Sequence, residues 1–133
     1  MGWQDRATSG RVEAGWRADT DRTTDSDRRA AYRKAVLGVV ASIPPGRVMA
    51  YSAIADYLAD AWRLRAPRLI GRIMATTDGP VPWHRVVQRD GAPARGHEVE
   101  ALRRLRGDGT PLRGNRVDMW RAAWAPETPP PRP

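Results

Sequence analysis

Hydrophobic positions first recur with a helical period between Ala30 and Ile43. Tyr32, Val36, Val39, Val40 and Ile43 share one face of a 3.6-residue repeat. Pro44-Pro45-Gly46 ends the run, and Ser26 or Asp27 is placed to cap its start. "RVMAYS" (47–52) reads as a short strand or an extended link. Ser52 is expected to cap a second helix whose inner face is Ile54, Ala55 and Leu58. "ADAWRLRAP" (59–67) reads as a connector, with Pro67 near the first turn of a third helix that runs to about Ala75. On that helix Leu69, Ile70, Ile73 and Met74 point inward. Arg68 and Arg72 sit one turn apart on the other face, with Gly71 between them.

Farther on, "RVVQ" followed by Asp90-Gly91 reads as a strand entering a tight turn, which predicts a hairpin or wing. "HEVEALRRLRGDG" predicts a helix with Val99, Leu102 and Leu105 on its inner face, ended by Gly107 and Gly109. "TPLRGNRVDMWRAAW" returns to the core in short pieces, and "APETPPPRP" reads as an extended, solvated tail. The whole predicts a mainly α (α+β) fold, a winged helix-turn-helix-like domain with a small β-hairpin. Its boundaries are residues 29–124, between a disordered tail (1–28, with isolated Trp3 and Trp16) and a proline-rich tail (125–133). The helical period alone fits a DNA reader and an ordinary helix pair with a solvated face equally well.

Charge shifts that balance. The chain has 133 residues and a net charge of +8. Residues 1–29 are neutral, since Arg6, Arg11, Arg17, Arg22, Arg28 and Arg29 offset Asp5, Glu13, Asp19, Asp21, Asp25 and Asp27. The entire excess therefore lies on the folded part. Its cations are arginines apart from Lys34, and arginine suits phosphate and guanine contacts. A genome rich in G and C gives the same bias, but a small domain this basic favours a polyanion as partner. No apolar run is long enough to cross a membrane and no secretory leader is visible, so a cytoplasmic, monomeric protein is expected.

Most catalytic chemistries lack their parts. Cysteine is absent, which removes thiol nucleophiles, thiolate metal sites and disulfides together. His84 and His97 are the only histidines and share no ligand spacing, so no metal is expected. The serines lie in tail or helix contexts without a Gly-x-Ser-x-Gly elbow, and no Gly-Lys-Ser/Thr phosphate loop occurs. What stands out is "PVPWHRVVQRDG" (80–91). It sets Trp83 between Pro82 and His84-Arg85, where a plain core aromatic and the wall of a binding site are both open readings.

"IPPGRVMAYSAIADYL", "PRLIGRIMA" and "VPWHRVVQRDG" together resemble successive blocks of the O6-alkylguanine-DNA alkyltransferase DNA-binding domain, from about Tyr32 to Leu112. That family reads Pro-Cys-His-Arg-Val in the last block, with Cys as the alkyl acceptor. Trp83 stands in the Cys position here, as in the alkyltransferase-like proteins that lack the nucleophile. The resemblance implies no catalytic residue, no cofactor and no metal. It implies a protein that binds O6-alkylguanine in double-stranded DNA by minor-groove docking and nucleotide flipping, then hands the lesion to nucleotide excision repair.

By the same resemblance, Trp83, Tyr51, His84 and Pro82 form the lesion pocket. Tyr51 presses on the target phosphate. Arg68 enters the stack in place of the flipped base, as a planar guanidinium is able to do. Ser52, Ala53 and Ile54 lie by the phosphates, Gly71 admits the backbone closely, and Arg72, Arg89 and Arg95 touch the DNA. Asp108 falls where the enzyme carries a Glu that orients the histidine, and Arg85 bonds loop carbonyls as support. Four departures are visible: Ser52 replaces the usual Gly after the tyrosine, the spacing from Met74 to Trp83 is shorter than in the cysteine enzymes, the enzyme's Asn in that turn has no match in "TTDGPV", and the wing motif reads "APARGHE". The rival readings are an active DNA enzyme and a winged-helix transcription regulator with no lesion preference.

Overall fold

The computed structural model describes residues 25–133. Helix α1 spans residues 25–42 and is followed by β1 (Met49–Ala50), α2 (Tyr51–Trp62) and α3 (Pro67–Thr76). A 3-10 turn (Trp83–Arg85) leads into β2 (Val86–Val87). Helix α4 (Glu98–Gly107), the strands β3 (Leu112–Arg113) and β4 (Arg116–Val117), and a last turn α5 (Met119–Ala122) complete the fold. The architecture is mainly helical, as the periodicity predicts.

The apolar face expected of α1 is the observed one, with Tyr32, Val36, Val39, Val40 and Ile43 all buried. Its start differs. Residues 25–28 are already helical, so Ser26 and Asp27 lie inside the helix rather than capping it, and the tail boundary expected at 28 falls within α1. Trp3 and Trp16 lie outside the described residues. Helix α2 begins two residues earlier than Ser52 allows: Ala50 is its cap, and Ser52 sits in the first turn. It also runs through Trp62, whose burial at 3 % exposure extends the inner face of Ile54, Ala55 and Leu58 by one turn. The connector is thus short. Arg63 turns left-handed (φ 51°) and its N–H closes on the carbonyl of Ala59.

Helix α3 buries Ile70 and Ile73, while Leu69 and Met74 are only half-buried. Arg68 and Arg72 are exposed, and neither guanidinium forms an ion pair among the described residues. Arg33 of α1 holds the far end of α3 through the hydroxyl and carbonyl of Thr76 (3.3 and 3.4 Å).

The strands correct one expectation. Asp90-Gly91 does form the tight turn, with Gly91 N–H on the carbonyl of Gln88 (2.9 Å) and φ of 88°. Yet β2 does not return antiparallel through it. Val86 and Val87 are both fully buried and pair in parallel with β1, Met49 opposite Val86 and Ala50 opposite Val87. Two buried faces favour a central, parallel partner over an exposed hairpin. The small antiparallel hairpin is β3–β4, closed by Gly114-Asn115 with Gly114 at φ 62°. A wing-like loop (88–97) remains, shaped by Gln88, whose amide donates to the Pro93 carbonyl (2.8 Å) and accepts from Arg95 (3.3 Å).

Under these strands Val48, Val87, Leu105, Val117 and Ala122 form one apolar cluster, with Leu112 and Met119 against it. Helix α4 contributes Leu105 to it, and Ala101 and Leu102 are also buried. Val99 is 86 % exposed, contrary to expectation. It lies about 160° around the helix from Ala101, which is fully buried at one edge of the face centred on Leu105.

Candidate nucleic-acid interface

Everything that positions the site converges on the 3-10 turn. Its entry is fixed by Trp83 N–H on the Val81 carbonyl (2.8 Å) and Arg85 N–H on the Pro82 carbonyl (3.0 Å). Its exit is β2, locked into the core.

His84 and Arg85 face inward. His84 is buried, with Nε2 2.8 Å from Oδ2 of Asp108. Arg85 grips the same carboxylate with two bonds, Nε to Oδ2 at 2.8 Å and a terminal nitrogen to Oδ1 at 3.1 Å. Its other terminal nitrogen donates to the Ile43 carbonyl (3.0 Å). The arginine holds the Asp108 carboxyl below its ordinary range, against the opposing effect of burial, and His84 adds to the lowering. Burial pushes His84 below its ordinary value, aided by the charges of Arg85 and Arg104, and this outweighs the raising influence of Asp108. A neutral imidazole facing a carboxylate carries its proton on Nε2. Nδ1 is then a buried acceptor without a hydrogen-bond partner among the described residues. The arrangement supports the turn through a carboxylate rather than through backbone carbonyls alone.

Trp83 faces the other way. It is half-buried and lines an open cavity of about 720 Å³, within the range of small-molecule sites. The indole is held on several sides. His97 meets it edge-on (5.7 Å between centroids), His84 lies at 6.2 Å in a T-shape, and the Arg104 guanidinium stands 5.3 Å over the ring. Glu100 braces Arg104 from within α4 (3.0 Å) and also pairs with Arg103. Those two arginines push the Glu100 carboxyl down to about 2, Arg103 first.

Helices α2 and α3 and the 88–97 loop supply the remaining walls. Tyr51 and Ser52 come from the start of α2, and Pro67, Gly71, Met74 and Ala75 from α3, with Thr77 beyond it. Gln88, Arg89, Ala94, Arg95 and His97 come from the loop. Burial pushes the Tyr51 phenol up, so it stays a neutral donor at physiological pH. No carboxylate lines the cavity among the described residues, while Arg89 and Arg95 do. A Cβ added at Gly71 meets nothing within 4 Å, so helix packing does not require that glycine.

Of the residues assigned from sequence, Trp83, Tyr51, Ser52, Gly71, Arg89 and Arg95 meet at one cavity. Pro82 and His84 do not line it. Pro82 shapes the turn through its carbonyl, and His84 is committed to Asp108 beneath it. Ala53, Arg68 and Arg72 lie outside the lining, the two arginines on the solvent side of α3 next to Pro67 and Gly71. Sequence reasoning missed Arg104, His97 and Gln88. Arg104 belongs to an ordinary-looking charged helix, and no linear signal connects it with Trp83. Among the described residues no cluster of three or more His, Cys, Asp or Glu side chains is arranged to hold a metal. No helix among them is long and apolar enough to cross a membrane.

The family model for the 6-O-methylguanine DNA methyltransferase DNA-binding domain matches residues 31–108, from α1 through the Asp108 support of the turn. The chain belongs to this family. Two solved structures share the methyltransferase-type DNA-binding fold. One is S. pombe Atl1 in complex with damaged DNA containing O6-carboxymethylguanine (24 % identity, TM-score 0.62). The other is S. pombe ATL in complex with DNA (24 % identity, TM-score 0.65). Each likeness covers 73 % of this chain and 97 % of the other. No curated protein sequence matches the chain.

Proposed function

We propose that this protein recognises O6-alkylguanine in duplex DNA without repairing it. The carrying observation is Trp83. It occupies the place of the alkyl-accepting cysteine in the family's Pro-Cys-His-Arg block, in a chain that contains no cysteine, and it faces an open cavity. Alkyl transfer needs a soft nucleophile to attack the alkyl carbon and release guanine. An indole braced by Arg104 and His97 offers a stacking wall instead, suited to holding a flipped base. In this reading α3 docks in the minor groove and Arg68 fills the gap in the stack, its guanidinium being exposed and without an ion pair among the described residues. Tyr51 and Ser52 meet the flipped nucleotide's backbone, and Arg89 and Arg95 neutralise phosphates. A monomer bound this way shields a small lesion and presents it to nucleotide excision repair.

The test compares duplexes with and without one O6-methylguanine at a fixed salt concentration, the methyl group carrying a label. We expect tighter binding to the modified duplex and no label on the protein. Arg68→Ala should lose most of the preference, and Arg89→Ala should weaken both duplexes alike. Equal binding to both duplexes would leave a winged-helix regulator as the better reading. Label on the protein would make it an enzyme.

A further inference from the structure

The DNA-facing cavity makes no use of the far end of α2. There the Tyr57 hydroxyl donates to the Thr128 carbonyl (2.8 Å), and Trp62 Nε1–H donates to the Pro131 carbonyl (2.7 Å). Pro129 and Pro130 lie between the two acceptors. Consecutive prolines have φ fixed by their rings and no N–H of their own, so their carbonyls are acceptors on a chain already extended. Aromatic side chains that grip such carbonyls are the general means of recognising proline-rich segments. The tail is otherwise exposed at Glu127, Thr128, Pro129 and Pro131 to Pro133. It thus corrects the expectation of a merely solvated end: it is extended, but docked.

We propose that the Tyr57–Trp62 edge of α2 is a binding site for proline-rich segments, occupied by the chain's own tail and open by exchange to a proline-rich segment of another protein. The occupant seated there shows the chemistry the site accepts. Trp124 N–H is bonded to the Val48 carbonyl (2.9 Å), so only residues 125–127 separate the anchored core from the docked carbonyls. A tether that short keeps the tail at an effective concentration in the mM range, enough to exclude weak competitors. The hold itself rests on two neutral hydrogen bonds and little burial of the tail, so a better segment displaces it. Trp62 lies roughly 16 Å along the helix from Tyr51, which leaves the cavity free while the tail site is engaged.

The test uses the full chain, labelled with 15N, and its Trp62 indole N–H resonance. The probes are a peptide of residues 125–133 and the same peptide with every proline changed to alanine. A tail-released variant carries Pro129→Gly, Pro130→Gly and Pro131→Gly. The proline peptide should shift the indole signal saturably, at a concentration about ten-fold lower in the released variant than in the native chain. Tyr57→Phe in the released variant should weaken it about five-fold, the worth of one neutral hydrogen bond. The alanine peptide should do nothing. The proposal fails if the peptide produces no saturable shift, if both peptides act alike, or if the native and released chains respond at the same concentration. It also fails if the native chain elutes as a dimer that tail release dissolves, since the occupant would then be a second copy. Should the released variant lose its dispersed spectrum, the native chain is titrated into the mM range instead. A saturable shift with the proline peptide alone then supports the site, and no shift overturns it.

Discussion

Trp83 and His84 are adjacent in one 3-10 turn and lead opposite lives. The indole stands at the edge of an open cavity that no carboxylate lines among the described residues, held by edge contacts and a guanidinium. The imidazole is buried in a three-membered polar cluster in which Arg85 and Asp108 share two bonds and His84 adds a third. The cavity-facing residue is held by ring and guanidinium contacts. The inward residues are tied to one another by hydrogen bonds and fix the turn.

The largest test of that division is Asp108→Ala. It strands a mostly buried guanidinium, and should cost on the order of 3 kcal/mol in urea unfolding. A loss below about 1 kcal/mol would show that the cluster does not carry the turn. Trp83→Ala should behave oppositely. We expect affinity for the alkylated duplex to fall by about 1–3 kcal/mol, the worth of one base–aromatic stack, with less effect on the plain duplex. Its unfolding free energy should move by less than that of Asp108→Ala. If stability falls as far, Trp83 is core after all.

Gly71→Ala sharpens the cavity side further. An added methyl meets open space inside a helix, so stability should rise by about 0.5–1 kcal/mol while DNA affinity drops. Unchanged affinity would separate that stretch of α3 from the nucleic acid. The smallest effect is on pH dependence. His84 is pushed below its ordinary value, so the unfolded chain takes up its proton first and stability declines as pH falls through about 6.5. Asp108, pushed down by Arg85, adds its own loss only at far lower pH, below about 4. His84→Asn should flatten the thermal-melting slope between pH 7 and 5. A slope that persists belongs to another group.

Helices were legible wherever a large apolar face met a clear stop. Tyr32 to Ile43 before Pro44-Pro45 is such a case, and so is the amphipathic run after Pro67. Val99 was misread because a valine outweighs an alanine in any hydrophobic pattern, although Ala101 is what packs. The strand at Val86-Val87 was legible but its partner was not. A parallel pairing across more than thirty residues leaves no local trace, whereas Asp-Gly suggests a hairpin wherever it stands. Within the site, Trp83, Tyr51, Ser52, Gly71, Arg89 and Arg95 line one cavity while Pro82, His84, Ala53, Arg68 and Arg72 lie outside its lining, and the brace around Trp83 comes from α4, whose sequence advertises only surface charge. Docking of the tail was equally silent, because it depends on which way Tyr57 and Trp62 point.

The two rungs that join β1 to β2 act as a ruler. Tyr51 leaves β1 one step after Ala50, and Gln88 leaves β2 one step after Val87, so two walls of the cavity are set at a common level by main-chain pairing. Exchanging side chains along those walls retunes what fits between them. Adding or removing a single residue ahead of either strand would slide one wall past the other, so evolution here is free to vary spelling but hardly length.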